Sequence, residues 1–215
     1  MRSHAERGTE GEMRSMIAAI VLAAGRSRRM GTQKLLLPWS GQTVIGHIVD
    51  QVLAAGLNQV CVVVSADRGA VSHALADRSV TLITNPDPDA EMLSSVRCGI
   101  RSLPPECDAA MIVLGDQPEI RADTIAALLS AYRRSSAGII APIHDGRRGH
   151  PLILSSQYFP KVLARFDGVG LHGLLAEHVD DLLLLEVSSS SVLADLDSPD
   201  DYKRAIKGFS GEARQ

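Results

Sequence analysis

Apolar and polar positions along the 215-residue chain fall into alternating short and long runs. Uninterrupted apolar runs of strand length predict strands at Ile17–Ala23, Gln59–Ser65, Val80–Thr84, Ala109–Leu114 and Gly138–Ala141. Between them, helical spacing of apolar residues predicts helices near Thr43–Ala55, Gly69–Ala76, Leu93–Leu103 and Ala122–Arg134. The strands lack polar alternation, as burial on both faces requires. Strand and helix in turn predict βαβ units, hence an α/β fold with a three-layer, Rossmann-like, mostly parallel sheet. Beyond Pro142 the pattern loosens into a turn-rich His144–Gly149, a strand at Pro151–Leu154, helices near Ser156–Arg165 and Leu171–His178, a strand at Leu182–Val187 and a last helix from Pro199. No low-complexity linker separates this part, so residues 16–208 read as one domain, with 1–15 as a disordered leader or misassigned start and 209–215 as a tail.

Composition narrows the class. A chain of this length suits one domain that buries roughly 70% of its unfolded surface. The formal net charge of −3 argues against a sequence-independent nucleic-acid binder, so local basic clusters need local explanations. Cys61, Cys98 and Cys107 are odd in number and lack C-x-x-C spacing, which reads as reduced thiols in a cytoplasmic protein. No apolar run reaches membrane-span length, and the polar N-terminus has no signal-peptide core, so neither membrane nor export is expected.

The chemistry concentrates where the first strand ends. Ala23-Ala24-Gly25 lets the backbone turn sharply and approach a ligand, and Arg26, Arg28, Arg29 and Lys34 follow within ten residues. Converging N–H groups plus cations form a polyphosphate site. Neither G-x-x-x-x-G-K-[ST] nor G-x-G-x-x-G occurs, so this is not a P-loop or a dinucleotide fingerprint.

Three further segments follow strands, where ligands collect in such sheets. Leu114-Gly115-Asp116-Gln117-Pro118 places a carboxylate at a strand tip, readable as a turn cap or as a metal ligand. Asn85 precedes a helix start carrying Ser94 and Ser95, which can cap and whose N–H groups face the ligand crevice; Arg97 on that helix suits an ordinary solvated arginine. Gly149-His150-Pro151 closes the turn-rich segment. Near the C-terminus, Ser198, Pro199 and the acids after them read as a helix cap, which leaves Asp195 and Asp197 unexplained. Magnesium takes oxygen ligands, often one or two carboxylates plus substrate phosphates.

Leu22-Ala23-Ala24-Gly25-x-Ser27-x-Arg29-Met30-Gly31-x-x-Lys34 resembles the signature L-A-[AG]-G-x-S-x-R-M-G-x-x-K of the molybdenum cofactor nucleotidyltransferases. The G-D-Q-P, G-x-x-G-H-P and D-[IL]-D-[TS]-P-[DE]-D segments resemble the same family in the same order, over about residues 16 to 206. That resemblance implies a fold of the nucleotide-diphospho-sugar transferase type and transfer of a nucleotidyl group to the terminal phosphate of molybdopterin, with release of pyrophosphate. It implies Lys34, Arg29 and Asp116 as catalytic residues and Mg²⁺ on Asp116 and Asp197. It implies a nucleotide held by Leu22, Ala23, Ala24, Gly25, Arg26, Ser27, Arg29, Lys34, Asn85, Ser94, Ser95, Gly115 and Asp116, and an acceptor held by Gln117, Pro118, Gly149 and His150. L-A-A-G, where guanylyl enzymes read L-A-G-G, and Asp195-x-Asp197, where they often show N-x-N, imply CTP as donor. A molybdenum hydroxylase receiving the cofactor is the implied protein partner. GMP transfer, transfer to another phosphorylated acceptor, and a non-catalytic cofactor-binding accessory protein for hydroxylase maturation stay open as alternatives.

Overall fold

The computed structural model describes residues 15–25, 33–67, 69–87 and 91–212. In chain order the elements are β1 (Ile17–Ala23), β2 (Pro38–Trp39), β3 (Gln42–Thr43), α1 (Val44–Ala54), β4 (Val60–Ser65), α2 (Gly69–Ala74), β5 (Thr81–Asn85), α3 (Met92–Arg101), β6 (Ala109–Leu114), α4 (Ala122–Arg134), β7 (Ile139–His144), β8 (Arg147–Arg148), β9 (Leu152–Ser155), α5 (Phe159–Ala164), α6 (Gly170–Glu177), β10 (Leu182–Glu186) and α7 (Pro199–Glu212). The main sheet runs β10-β7-β9-β6-β1-β4-β5, with β8 paired to β7. Its pairings are parallel except those made by β9 and β8. A connection of few residues cannot make a parallel crossover, so the chain after β7 returns antiparallel. Asp145 (φ 48°) and Gly146 (φ 74°) form the tight β7–β8 turn, a conformation that Asp and Gly tolerate.

Neighbouring residues of β1 face opposite layers. Ala19 and Val21 join Val62, Val64, Met111 and Val113 beneath α1, α4 and α7, whereas Ile20 joins Val63, Ile112 and Ala141 beneath α3, α5 and α6. This two-sided burial is why the strand reads as a continuous apolar run; each fully buried Ile or Val stabilises by about 1.5–3 kcal/mol. A Cβ on Gly99 would meet the Ile20 side chain, so glycine lets α3 lie close on β1.

The predicted mostly parallel α/β sheet is present, with shifted element ends. β7 runs to His144 rather than stopping at Ala141, α2 is shorter than expected, and α7 starts at Pro199 as expected and continues to Glu212. The leader expected over 1–15 lies, except for Ser15, outside the described residues. No helix among the described residues is long and apolar enough to cross a membrane.

Candidate functional site

The strand order reverses at β1. From β1 the chain moves outward to β4 and β5 on one side, then returns to place β6 on the other. β1 and β6 stay paired to their carboxyl ends, Leu22 beside Leu114, but their following connections run to opposite sides, a switch point at which ligands collect in such sheets. Two loops meet there. Gly115 N–H donates to the Leu22 carbonyl at 3.0 Å, and a Cβ on Gly115 would strike that same oxygen. Only glycine lets the loop bearing Asp116 lie directly against the Leu22 backbone, at the start of the Leu22-Ala23-Ala24-Gly25 turn.

Asp116 meets a cation across this contact. Lys34 opens a 3-10 turn (Lys34–Leu36) and sends Nζ to 2.5 Å from Asp116 Oδ2 and 3.5 Å from Asp197 Oδ1. Asp197 is held in place by its neighbours. Leu196 is buried, and its N–H donates to the Asp116 carbonyl at 2.9 Å, so Asp195 and Asp197 on either side are fixed beside the β6 loop. Gln117 Nε2 donates to Asp195 Oδ1 at 2.7 Å and to the Val192 carbonyl at 3.3 Å. Burial, then the nearby Asp116 and Asp197 charges, raise the Asp195 pKa against the opposing Gln117 bond and Lys34 charge. The α7 cap forms as expected: Ser198 Oγ accepts from Asp201 N–H at 3.2 Å, and Asp201 Oδ2 accepts from Ser198 N–H at 2.7 Å.

These carboxylates suit a small divalent ion. Asp116 and Asp197 aim oxygens at one ammonium, and Asp197 is 57% exposed, which leaves a side for phosphate oxygens and water to complete the coordination. Among the described residues no group of three or more His, Cys, Asp or Glu side chains is arranged as a metal cage. A two-carboxylate site that relies on substrate oxygens matches that arrangement better than a resident structural metal does.

Of the residues expected to hold the nucleotide, Arg26, Ser27 and Arg29 lie outside the described residues. Asn85, only 1% exposed, donates through Nδ2 to Ser94 Oγ at 3.2 Å and Ser95 Oγ at 3.1 Å, while its Oδ1 accepts from Asp87 N–H at 3.1 Å. The expectation that Ser94 and Ser95 cap α3 is corrected here. Glu91 holds the N-cap position, with no side-chain cap bond, and both serines point back to Asn85. Their hydroxyls fix the loop after β5 against α3. Arg97 also departs from a solvated role: it bonds the Val162 and Arg165 carbonyls and pairs with Asp167 at 2.6 Å, holding the loop between α5 and α6.

Of the residues expected to hold the acceptor, Gln117 and Pro118 are buried, and the Gln117 amide is spent on the 192–195 segment. Gly149 N–H donates to the Pro142 carbonyl at 2.9 Å and His150 N–H to the Val192 carbonyl at 3.0 Å. A Cβ on Gly149 would strike the Val192 carbonyl oxygen, so glycine is required for this approach. His150 Nε2 is buried with no hydrogen-bond partner among the described residues. Burial lowers the His150 pKa to about 4, aided by His172 and opposed by Asp116. The imidazole is therefore neutral near pH 7, with a nitrogen available to a ligand.

Two positioning residues escaped the sequence reading. His47 on α1 donates to the Pro118 carbonyl, and burial lowers its pKa against the pull of Asp50 and of that bond. One helical turn on, Gln51 Oε1 accepts from Ala122 N–H at 2.9 Å, serving an α4 start whose N-cap, Arg121, makes no cap bond. The available signal was their i, i+4 spacing, which puts two polar groups on an otherwise buried helix face.

The sequence pattern of the MobA-like NTP transferase domain matches residues 19–182. Molybdenum cofactor cytidylyltransferase of Escherichia coli (strain K12) is 29% identical over 201 residues, covering 91% of this chain and 98% of that protein. Nicotine blue oxidoreductase of Paenarthrobacter nicotinovorans is 26% identical over 88% of this chain and 96% of its own. Among solved structures, Rv0371c from Mycobacterium tuberculosis H37Rv superimposes with a TM-score of 0.81 at 27% identity, covering 90% of this chain and 98% of that one. A manganese complex of Rv0371c superimposes at 0.77 with 26% identity, covering 90% of this chain and 99% of that one.

Proposed function

The chain belongs to the MobA-like NTP transferase family, and from that premise we propose that it transfers CMP from CTP to the terminal phosphate of molybdopterin. The observation that carries this reading is one arrangement: Lys34 paired with both Asp116 and Asp197 at the switch point where β1 and β6 end. A polyphosphate needs cations and close backbone approach, and Lys34 with the small-residue turn after β1 would supply both.

In the proposed reaction an oxygen of the acceptor phosphate attacks the α-phosphorus of CTP. The new P–O bond replaces the bond to the β-phosphate oxygen, and pyrophosphate leaves. The nucleophile is already an anion, so the protein needs no general base and acts by alignment and charge neutralisation. Lys34 neutralises charge that grows at the α-phosphate, and Arg29, by its match to the family signature, holds the β- and γ-phosphates with the N–H groups of the turn. A Mg²⁺ ion on Asp116 and Asp197 would neutralise the phosphate oxygens around the reacting centre. Asn85, Ser94 and Ser95 shape the wall of the nucleotide side through the bonds that fix the loop after β5. Gly149 and His150 face the acceptor, with the neutral His150 imidazole as a hydrogen-bond partner, while Gln117 and Pro118 hold that side in shape. The E. coli relative's cytidylyl activity supports the base, as does Ala24, whose methyl narrows the turn beside it. Such fitting is worth on the order of 1–3 kcal/mol per small group, so GTP is disfavoured rather than excluded. A molybdenum hydroxylase that accepts the dinucleotide completes the reading.

Pyrophosphate release decides it. With purified protein, Mg²⁺ and molybdopterin, release is expected with CTP at a kcat/KM about tenfold or more above that for GTP or ATP. Higher kcat/KM with GTP would overturn the base assignment, and no release with any of the three would overturn the transferase reading.

A further inference from the structure

The two carboxylates assigned to the metal already hold a cation. Lys34 Nζ sits on Asp116 Oδ2 and within 3.5 Å of Asp197 Oδ1, and Lys34 is the least exposed of the three side chains. An ammonium and a divalent ion cannot share that position. Magnesium binds carboxylate oxygens at about 2.0–2.1 Å, so an ion bound through the Asp116 Oδ2 and Asp197 Oδ1 that Lys34 faces would stand almost against Nζ. Like charges at that separation repel strongly in a half-buried crevice. One of the two cations must leave.

The lysine is built to be the one that moves. Its backbone is anchored: Leu37 N–H donates to the Lys34 carbonyl at 3.2 Å, and Leu35 beside it is buried in the core. The four-carbon stem above that anchor can re-aim the ammonium without disturbing the fold. What it needs is another anion to receive it, and a nucleoside triphosphate beside the β1 turn provides one.

We infer that Lys34 is a resident counter-ion that keeps the metal position closed until nucleotide arrives, so that nucleotide and divalent ion bind as a coupled pair. This rests on the Asp116–Asp197 metal reading above. In the nucleotide-free protein, Lys34 neutralises part of a carboxylate cluster that would otherwise repel itself. On binding, the triphosphate draws the ammonium away and the vacated carboxylates take the ion. Coupling of this kind is reciprocal, so metal tightens nucleotide by the same factor by which nucleotide tightens metal.

The test is Mn²⁺ titration of the full chain, followed by electron paramagnetic resonance of the free ion, for the wild type, Lys34→Met and Lys34→Gln without nucleotide. The wild type is expected to bind Mn²⁺ weakly, and both variants on the order of tenfold tighter. Equal or weaker binding by the variants would overturn the inference. Asp116→Asn in the Lys34→Met background separates the two readings. If it removes the gained affinity, the ion sits where proposed; if it leaves that affinity unchanged, the metal reading fails and the inference with it. A wild-type titration with CTP, corrected for the Mn²⁺–CTP complex, needs no variant to fold. A CTP-dependent gain of about tenfold or more is expected, and no gain overturns the coupling.

Discussion

His150 shows at single-residue scale how burial sets chemistry. Its Nε2 has no partner among the described residues, and burial holds its pKa at about 4, below the ordinary value of 6.5. Between those values the unfolded chain binds a proton at this histidine and the folded protein does not, so stability rises with pH there. Stability is unaffected above about pH 6.5 and falls as pH drops toward 4, by about 3 kcal/mol in total. Denaturant titrations from pH 4 to 7 are expected to show this slope in the wild type and a shallower one in His150→Gln. Identical slopes would mean that His150 does not carry the effect. The residue was legible in the sequence as the His of a G-x-x-G-H-P segment, and so were Asp116, Asp197 and Lys34. Their partners were not. Nothing local to Lys34 says that its ammonium reaches carboxylates 82 residues away and beyond, because that contact exists only once β1 and β6 are neighbours.

At the scale of elements, strands buried on both faces announce themselves as apolar runs, which is why β1, β4 and β6 could be placed to within a residue or so. Short elements have no such signal. The β2–β3 hairpin, the two residues of β8 and the 3-10 turn Ser190–Leu193 are too brief for periodicity to show. That 3-10 turn nevertheless carries the site. The Val192 carbonyl accepts from both His150 N–H and Gln117 Nε2, which ties the Gly149–His150 segment to the loop that bears Asp116. Gly149 is what lets His150 reach it, because a Cβ there would strike that oxygen. Gly149→Ala must push the two segments apart and is expected to destabilise the protein by about 1–3 kcal/mol in equilibrium unfolding. A change within about 0.5 kcal/mol, the range of an ordinary surface substitution, would show that the 190–193 turn yields freely and is no rigid backing for the site.

For the whole molecule, the order of strands matters more than their number. The alternation of strand and helix predicts a parallel sheet, yet no local pattern says that β6 lands beside β1, or that β9 inserts antiparallel between β6 and β7; long-range packing of both layers decides that. The outcome is a cluster assembled from β1, β6, the 149–150 segment and the 192–197 segment, elements far apart in sequence. A ligand that bridges them binds only the folded chain, so its affinity adds to global stability. At a hundred times its dissociation constant a nucleotide contributes about 2.7 kcal/mol, which for a chain of this size corresponds to a rise in Tm of about 5–10 °C. Thermal unfolding with CTP and Mg²⁺ together is expected to show that rise. With Mg²⁺ alone the rise is expected to be far smaller, because Lys34 already occupies the Asp116–Asp197 pair. An unchanged Tm with both ligands would show that the folded chain binds no nucleotide under these conditions. An equal rise with Mg²⁺ alone would show that the ion enters without displacing Lys34 and would break the coupling between metal and nucleotide.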